Sequence, residues 1–473
     1  MFAGVSEPIP DEFRPPSLEI LRELIPRYDQ PGPRYTSYPT APIWQESFGA
    51  TDFREALARA AGRDSALSVY VHVPYCEQLC TYCACNRVIT RDHSVALPYL
   101  DRLEREIAAV AEAIGGGAPH GQLAIGGGTP TYLSAEQLSR LCDRLDAHFP
   151  PEAGAERSIE VDPRVTQPEQ LATLAEHGFN RISLGVQDLS EVVQQAIRRI
   201  QSIEQTAAVS EQARKLGFGS VNFDLIYGLP FQTPESFDAT LTEVIALQPD
   251  RIALYGYAHV TWVSKQQRGF ENKDLPGPER KLAIFLTAIR RLTEAGYLFL
   301  GLDHFARPED DLAQAAEQGT LHRNFMGYTT RRATDLVGFG PSAISELQDV
   351  YAQSLRDPEP WGAAVDHDGL ATHRGWHLSE DDLRRKWLIQ ELMCRGEIDP
   401  QSYAERFDEA IDDRVANLSE RLAPFEADGL LVADGGAWRL TFLGRLFLRN
   451  VAMTFDAHLA TPSDGQKRYS RTV

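Results

Sequence analysis

Four of the chain's six cysteines fall within ten residues, in the stretch YCEQLCTYCACN (75–86). Their spacing is Cys76-x3-Cys80-x2-Cys83-x-Cys85. Three thiolates at x3 then x2 intervals can wrap one corner of an iron–sulfur cluster. A 4Fe–4S cube has four irons, so three cysteines leave one iron open to a substrate or cofactor. The competing chemistry is a zinc knot, which wants four closed ligands at paired C-x2-C spacings. Cys85 as its fourth ligand would make an unusually tight CxC closure. Six cysteines in a long chain without a secretory leader do not make a disulfide framework. Cys142 and Cys394 stand alone on helix-like stretches and are expected to be buried, small apolar residues.

Elements that must hold the motif surround it. It follows directly on an apolar run, ALSVYVHVP (66–74), and further runs recur at 121–128, 157–162, 180–187, 220–230, 251–258 and 297–305. Amphipathic stretches such as YLDRLEREIAAVAEAI (99–114) lie between them. Strands alternating with helices of this length mean β-α units and a parallel sheet. The near-continuous apolar character of the runs predicts strands buried on both faces. The expected fold class is α/β, a partial (β/α) TIM-type barrel with an N-terminal arm (1–55), the barrel proper (56–355) and a smaller, mostly helical C-terminal domain with a small hairpin (356–473). The cysteine loop then sits at the C-terminal end of the first strand, the end at which barrel active sites are built.

The formal net charge is −20, from 67 acidic and 47 basic residues. Nucleic-acid binding and attraction to anionic membranes both call for the opposite sign. The helices and hairpin after residue 378 have a winged-helix outline, and the charge argues against a DNA role. No run reaches the ~18 to 20 apolar residues of a membrane span, and the first residues lack the basic start and apolar run of a signal peptide. A cytoplasmic location is expected. A small anionic substrate is compatible with this charge where arginines cluster locally.

Cys76-x3-Cys80-x2-Cys83, with Tyr82 before the third cysteine, resembles the radical S-adenosylmethionine signature. The extension to Cys85 and the flanking YVHVPYC resemble the oxygen-independent coproporphyrinogen III oxidase (dehydrogenase) family. PRYTSYPTA (33–41), GGGTPTYLS (126–134), SIEVDPR (158–164), GFNRISLGVQD (178–188), NFDLIYGLPFQTPESF (222–237), LDHFARPEDDLA (302–313), LHRNFMGYTT (321–330) and RYSRTV (468–473) carry the likeness along nearly the whole chain. The resemblance implies a 4Fe–4S cluster on Cys76, Cys80 and Cys83, and two molecules of S-adenosylmethionine. It places Tyr70, Gly127, Gly128, Thr129, Glu160 and Ile344 against the first. Tyr82, Gly128, Thr129, Gln187, Arg199, Asp224 and Ala258 match the second. Gln187, Asp224 and Ala258 are read at strand C-terminal ends, converging on one barrel mouth. Cys85 is implied to be no ligand.

The implied reaction is radical oxidative decarboxylation of two propionates of coproporphyrinogen III to vinyls, giving protoporphyrinogen IX in anaerobic heme synthesis. An electron donor such as flavodoxin or ferredoxin, a monomeric state, and no nucleic-acid or membrane partner go with it. Arg34, Arg307, Arg323 and Arg471 are candidates for the propionates. The other readings are a heme chaperone and a different tetrapyrrole-acting radical enzyme. The chain departs from the family pattern at Ala84, Arg198, Thr261, Arg331 and Arg332. If residue 84 requires positive φ, an alanine there strains the loop.

Overall fold

The structure, a computed structural model, describes residues 18–63, 65–262, 264–331, 335–459 and 469–472. The first six apolar runs form β1 (Leu67–Val73), β2 (His120–Gly127), β3 (Pro151–Val161), β4 (Arg181–Gln187), β5 (Ser220–Tyr227) and β6 (Arg251–Gly256). Each pairs with the next in parallel. The chain then adds β7 (Leu298–Gly301), β8 (His304–Ala306), β9 (Leu336–Phe339), β10 (Ile344–Leu347), β11 (Val350–Ser354) and β12 (Thr372–His377). β9 returns to pair in parallel with β1, so the parallel set is β9 and β1 to β6. The full order is β12-β11-β10-β9-β1-β2-β3-β4-β5-β6-β8-β7, an open sheet whose flanks are antiparallel. This is a partial barrel.

Two expectations change. The run 297–305 is a tight antiparallel hairpin, β7 and β8, because Leu302 takes positive φ between them. The sheet also continues through β12 to His377, past residue 355. There the arm crosses it: Gln45 and Gly375 exchange backbone hydrogen bonds of 2.9 and 3.0 Å. A side chain at Gly375 would run into the Tyr351 carbonyl and the Phe48 ring, so only glycine lets the arm lie this close.

The barrel strands are not uniformly apolar. Val69, Val71, Val221, Phe223, Ile252 and Leu254 are buried in the main core with the surrounding helices. The alternate positions, Tyr70, His72, Ser158, Glu160, Asn222 and Asp224, line an interior cavity of about 460 Å³. Period-two alternation therefore separates a core face from a polar, ligand-sized lumen. The helices are started by local signals, as at Ser134, whose hydroxyl accepts from the Gln137 amide (3.2 Å) while the Gln137 side chain accepts from its own (3.0 Å).

Beyond His377 the helix Glu380–Arg395 packs Leu388, Ile389 and Leu392 into a second core. Tyr35 and Tyr38 of the arm belong to that core. The expected hairpin is present and gains a third strand: Leu431–Asp434 and Ala437–Leu440, with Glu397–Ile398 against the latter. Gly435 and Gly436 both take positive φ in its turn, as a two-residue hairpin loop of this twist requires. Cys142 is fully buried, as expected; Cys394 is half-buried. Among the described residues no helix is long and apolar enough to cross a membrane.

Candidate active site

The cysteine loop leaves β1 and is pinned from three sides. The end of β2 holds its start: Gly128 N donates to Val73 O (2.7 Å) and Thr129 N to Tyr75 O (2.8 Å). A Cβ on Gly128 would lie 2.7 Å from that same Tyr75 oxygen, so the glycine is a packing requirement. The short helix Glu191–Ile197 holds the middle, through Thr81 N to Ile197 O (3.0 Å) and Thr81 Oγ1 to Ala196 O (3.1 Å). The segment after β6 holds the exit. Gln267 Nε2 donates both to Tyr82 O (2.7 Å) and to Ala258 O (3.2 Å), and Ser264 Oγ to Cys83 O (3.4 Å).

The thiols sit in a cationic setting. Arg164 Nη2 and Arg199 Nη1 approach Cys80 Sγ at 3.7 and 3.8 Å. Both guanidiniums are held by the Asp162 carboxylate, at 2.6 and 3.0 Å. Burial pushes the Asp162 carboxyl up, but Arg199 and Arg164 outweigh it and keep it below the ordinary range. Thr129 Oγ1 donates to Cys76 Sγ at 3.3 Å, while burial still pushes that thiol up to about 11. Cys83 is held down to about 6, chiefly by a hydrogen bond from Cys85.

Among the described residues, no three His, Cys, Asp or Glu side chains converge closely enough for a single metal ion. Three thiols spread around a loop, with guanidiniums beside one of them, suit the wider span and negative charge of an iron–sulfur cube. Arg199 Nε is buried and lacks a hydrogen-bond partner, a donor left over for a bound group. The donor set fits the cluster.

The remaining predicted residues fall at the same end of the barrel or in the lumen below it. Tyr70, Glu160, Asp224 and Ile344 line the cavity. Gly127 N donates to Glu160 Oε2 (3.2 Å), and Gly126 leaves only 2.7 Å between its Cβ position and that carboxylate. Glu160 opens onto the lumen but lies deep in the protein. That burial, then the Asp224 carboxylate, push it up to about 7. Asp224 lies mid-strand, not at the strand end as expected; Ser183 Oγ (2.7 Å) and Asn222 Nδ2 (2.9 Å) hold it. Gln187 ends β4 with positive φ, and Arg199 Nη2 donates to Gly185 O on that strand at 2.6 Å. Tyr82 packs beside Val193, Ile197 and Tyr257 rather than in the cavity.

Three residues the sequence reading passed over belong here. Asp162 and Arg164 stand in the quoted SIEVDPR. His72, two residues past Tyr70, bridges Tyr70 Oη (3.1 Å) and Asn86 O (2.8 Å), and burial lowers it to about 4, so it is neutral. Period-two alternation starting from Tyr70 is the signal that would have found it.

The candidate arginines separate. Arg34 reaches Gly256 O at the end of β6 (2.7 Å), and Arg323 reaches Tyr35 O in the arm (2.5 Å). Both are at the mouth. Arg307 stacks on Tyr297 at the opposite end and donates to Pro249 O (3.2 Å). Arg471 is tied to Asp29 on the surface. Of the departures, Ala84 is not among the positive-φ residues, so its loop carries no such strain. Arg198 does take positive φ (54°), which costs a residue with a Cβ about 1 kcal/mol. Arg331 bonds Gly154 at the far end of the barrel. Thr261 accepts from Arg268 at 3.4 Å, and Arg332 lies outside the described residues.

An open parallel barrel with an x3-x2 cysteine loop on its first strand is the architecture of a radical S-adenosylmethionine protein. Residues 70–244 match the Radical SAM superfamily, and residues 378–447 match the HemN C-terminal domain. The oxygen-independent coproporphyrinogen III oxidase of Pseudomonas aeruginosa is 44% identical over 453 residues, 95% of this chain and 98% of that one. The Escherichia coli protein of the same name is 45% identical over 450 residues, again 95% and 98%. The solved structure of coproporphyrinogen III oxidase (HemN) from Escherichia coli, a radical SAM enzyme, superposes with a TM-score of 0.86 at 45% identity, covering 90% of this chain and 98% of that one. The chain belongs to the oxygen-independent coproporphyrinogen III oxidase family.

Proposed function

We propose that this chain oxidatively decarboxylates coproporphyrinogen III to protoporphyrinogen IX in anaerobic heme synthesis. The observation that carries the reading is the near full-length match to oxidases of that name, with both matched regions in place. Each of two propionates, –CH2–CH2–COO⁻, becomes –CH=CH2 with loss of carbon dioxide, one hydrogen atom and one electron. When bound, the cluster and S-adenosylmethionine supply the one-electron chemistry that removes the hydrogen atom.

Every other task falls to the chain. Cys76, Cys80 and Cys83 hold the cluster, and Arg164 and Arg199 offset its charge. Gly127, Gly128, Thr129, Glu160, Tyr70 and Ile344 seat one S-adenosylmethionine. Tyr82, Gln187, Arg199, Asp224 and Ala258, with Gly128 and Thr129, seat the second. Glu160 and Asp224 offer carboxylates to its ammonium and hydroxyl groups. His72, neutral and buried, orients Tyr70 and the loop exit without adding charge. Arg34 and Arg323 meet the propionates where the arm crosses the mouth. The described parts of the arm (from residue 18) and of the C-terminal unit cover the lumen and keep out water and oxygen. The protein works as a cytoplasmic monomer fed by a flavodoxin- or ferredoxin-like donor.

The test is anaerobic: reconstituted protein, coproporphyrinogen III, S-adenosylmethionine and dithionite, with products read by mass spectrometry. The divinyl product, two carboxyl groups lighter, with 5′-deoxyadenosine is the expected result. Deoxyadenosine without decarboxylation points to another substrate. Neither product, with heme tightly bound, points to a heme-delivery protein.

A further inference from the structure

Three segments touch the cysteine loop from outside the barrel, and their charge runs against that of the molecule. Residues 84–91 leave the loop itself, with Arg87 Nη1 on Cys85 O at 2.9 Å. Residues 196–201 carry the carbonyls that hold Thr81. Residues 259–270 supply Ser264 and Gln267 to Cys83 and Tyr82. Together these segments contain six Arg or Lys and no Asp or Glu, in a chain with 67 acidic and 47 basic residues. Acids return only beyond their ends, at Glu77, Asp92, Glu191, Glu204 and Glu271.

Arg199 is buried against Cys80; Arg91, Arg198, Lys265 and Arg268 are exposed. Arg198 reaches the surface from a strained left-handed backbone. The same segments also expose apolar side chains: Ile200 is 60% exposed, Trp262 43% and Ile89 40%. Basic residues around exposed aliphatic and aromatic ones are the composition of a small, transient protein interface.

We propose that this rim is the docking surface of an acidic, soluble one-electron carrier protein that delivers the electron to the cluster. The inference rests on the functional reading above, which requires a reductant. Ile197 and Gln267 of these segments bond directly to Thr81 and Tyr82 of the cysteine loop. A carrier seated here lies against the segments that hydrogen-bond the cysteine loop. Opposite charge steers the encounter and sets its salt dependence more than its ultimate affinity.

The probe is oxidised flavodoxin, titrated by its flavin fluorescence against the full, cluster-loaded chain. No substrate is present, so this result is independent of whether coproporphyrinogen III is the substrate. In the variant Arg198→Glu/Lys265→Glu/Arg268→Glu, Kd is expected to rise about tenfold or more at low salt. The difference should shrink to about twofold at roughly 300 mM salt, where the Debye length is short. Iron content and dithionite-driven deoxyadenosine formation should match the parent, since dithionite needs no docking site. The neutral variant Arg198→Asn/Lys265→Gln/Arg268→Gln should fall in between. Unchanged Kd in both variants, no binding by the parent chain, or an equal loss with dithionite would each overturn the proposal.

Discussion

The two ends of the barrel are both rich in charge, and they use it differently. At the N-terminal end of the strands, Arg251 meets Asp310 with Nε at 2.8 Å from both oxygens. Arg181 meets Glu156 at 2.9 Å and Asp311 at 2.6 Å, and Ser220 Oγ donates to Asp310 at 3.0 Å. Arg251 and Arg181 are each paired with carboxylates there, and the network closes the floor of the cavity. At the C-terminal mouth, Arg164 and Arg199 share one carboxylate and lean on a thiol. Arg34 and Arg323 end on backbone carbonyls. The cations lining the floor are consumed by carboxylates; those at the mouth keep guanidinium groups beside a thiol and the entrance, within reach of something that binds.

Four changes probe this contrast, from the largest effect to the smallest. Cys80→Ser should abolish cluster retention, with iron and sulfide per chain falling to near zero and no deoxyadenosine formed. Asp310→Ala should act only at the floor. It strands Arg251 without its buried partner, and the cost is about 3–5 kcal/mol in urea unfolding, with iron content per folded molecule unchanged. Arg199→Lys should do the reverse. It keeps one charge but loses the forked contact to Asp162 and Gly185, and should cost roughly 10- to 100-fold in deoxyadenosine formation at nearly unchanged stability. If Arg199→Lys unfolds the chain while Asp310→Ala spares it, the contrast is wrong.

The smallest effect concerns the cover. His458 Nε2 lies 2.6 Å from Asp382, which holds the histidine above its ordinary range, while Asp382 itself is lowered to about 2. Burial raises Asp382, and His458 with the Ser379 groups outweighs it. A raised histidine stabilises the fold fully below about 6.5 and ceases to do so as pH rises through its folded value. Unfolding measured from pH 6 to 9 should show a loss in the parent about 1 kcal/mol greater than in His458→Gln. The lowered carboxyl works at the other extreme: its stabilisation, present above about 3.8, disappears as pH falls toward 2.

Much of the barrel was legible from the chain alone, because a strand buried among helices must keep an apolar face. What the apolar runs concealed was their other face. Ser158 and Glu160, or Asn222 and Asp224, interrupt the runs at every second residue, and that interruption is the cavity. The run 297–305 looked like one more barrel strand, since composition does not reveal the reversal at Leu302. The cysteines and GGGTP announced themselves through local spacing. Asp162 and Arg164 did not, because what defines them is the contact of Arg164 with Cys80, some eighty residues away in the chain, and the hold of Asp162 on that arginine. Arg34 and Arg307 could not be told apart by sequence, because the end of a barrel a loop reaches is a property of topology.

The arm's attachment also sets an order of assembly. Arg449 Nε donates to Pro33 O at 2.9 Å, and Gly32 N donates to Ser470 O at 3.0 Å. Residues near position 33 thus wait for partners more than four hundred residues later. At 5–20 residues per second of synthesis that delay is roughly 20 to 80 s. The parallel strands and their cysteine loop are complete at residue 339, more than a hundred residues before these two fastenings are synthesised. The fastenings of residues 32 and 33 are therefore among the last contacts that the growing chain can make.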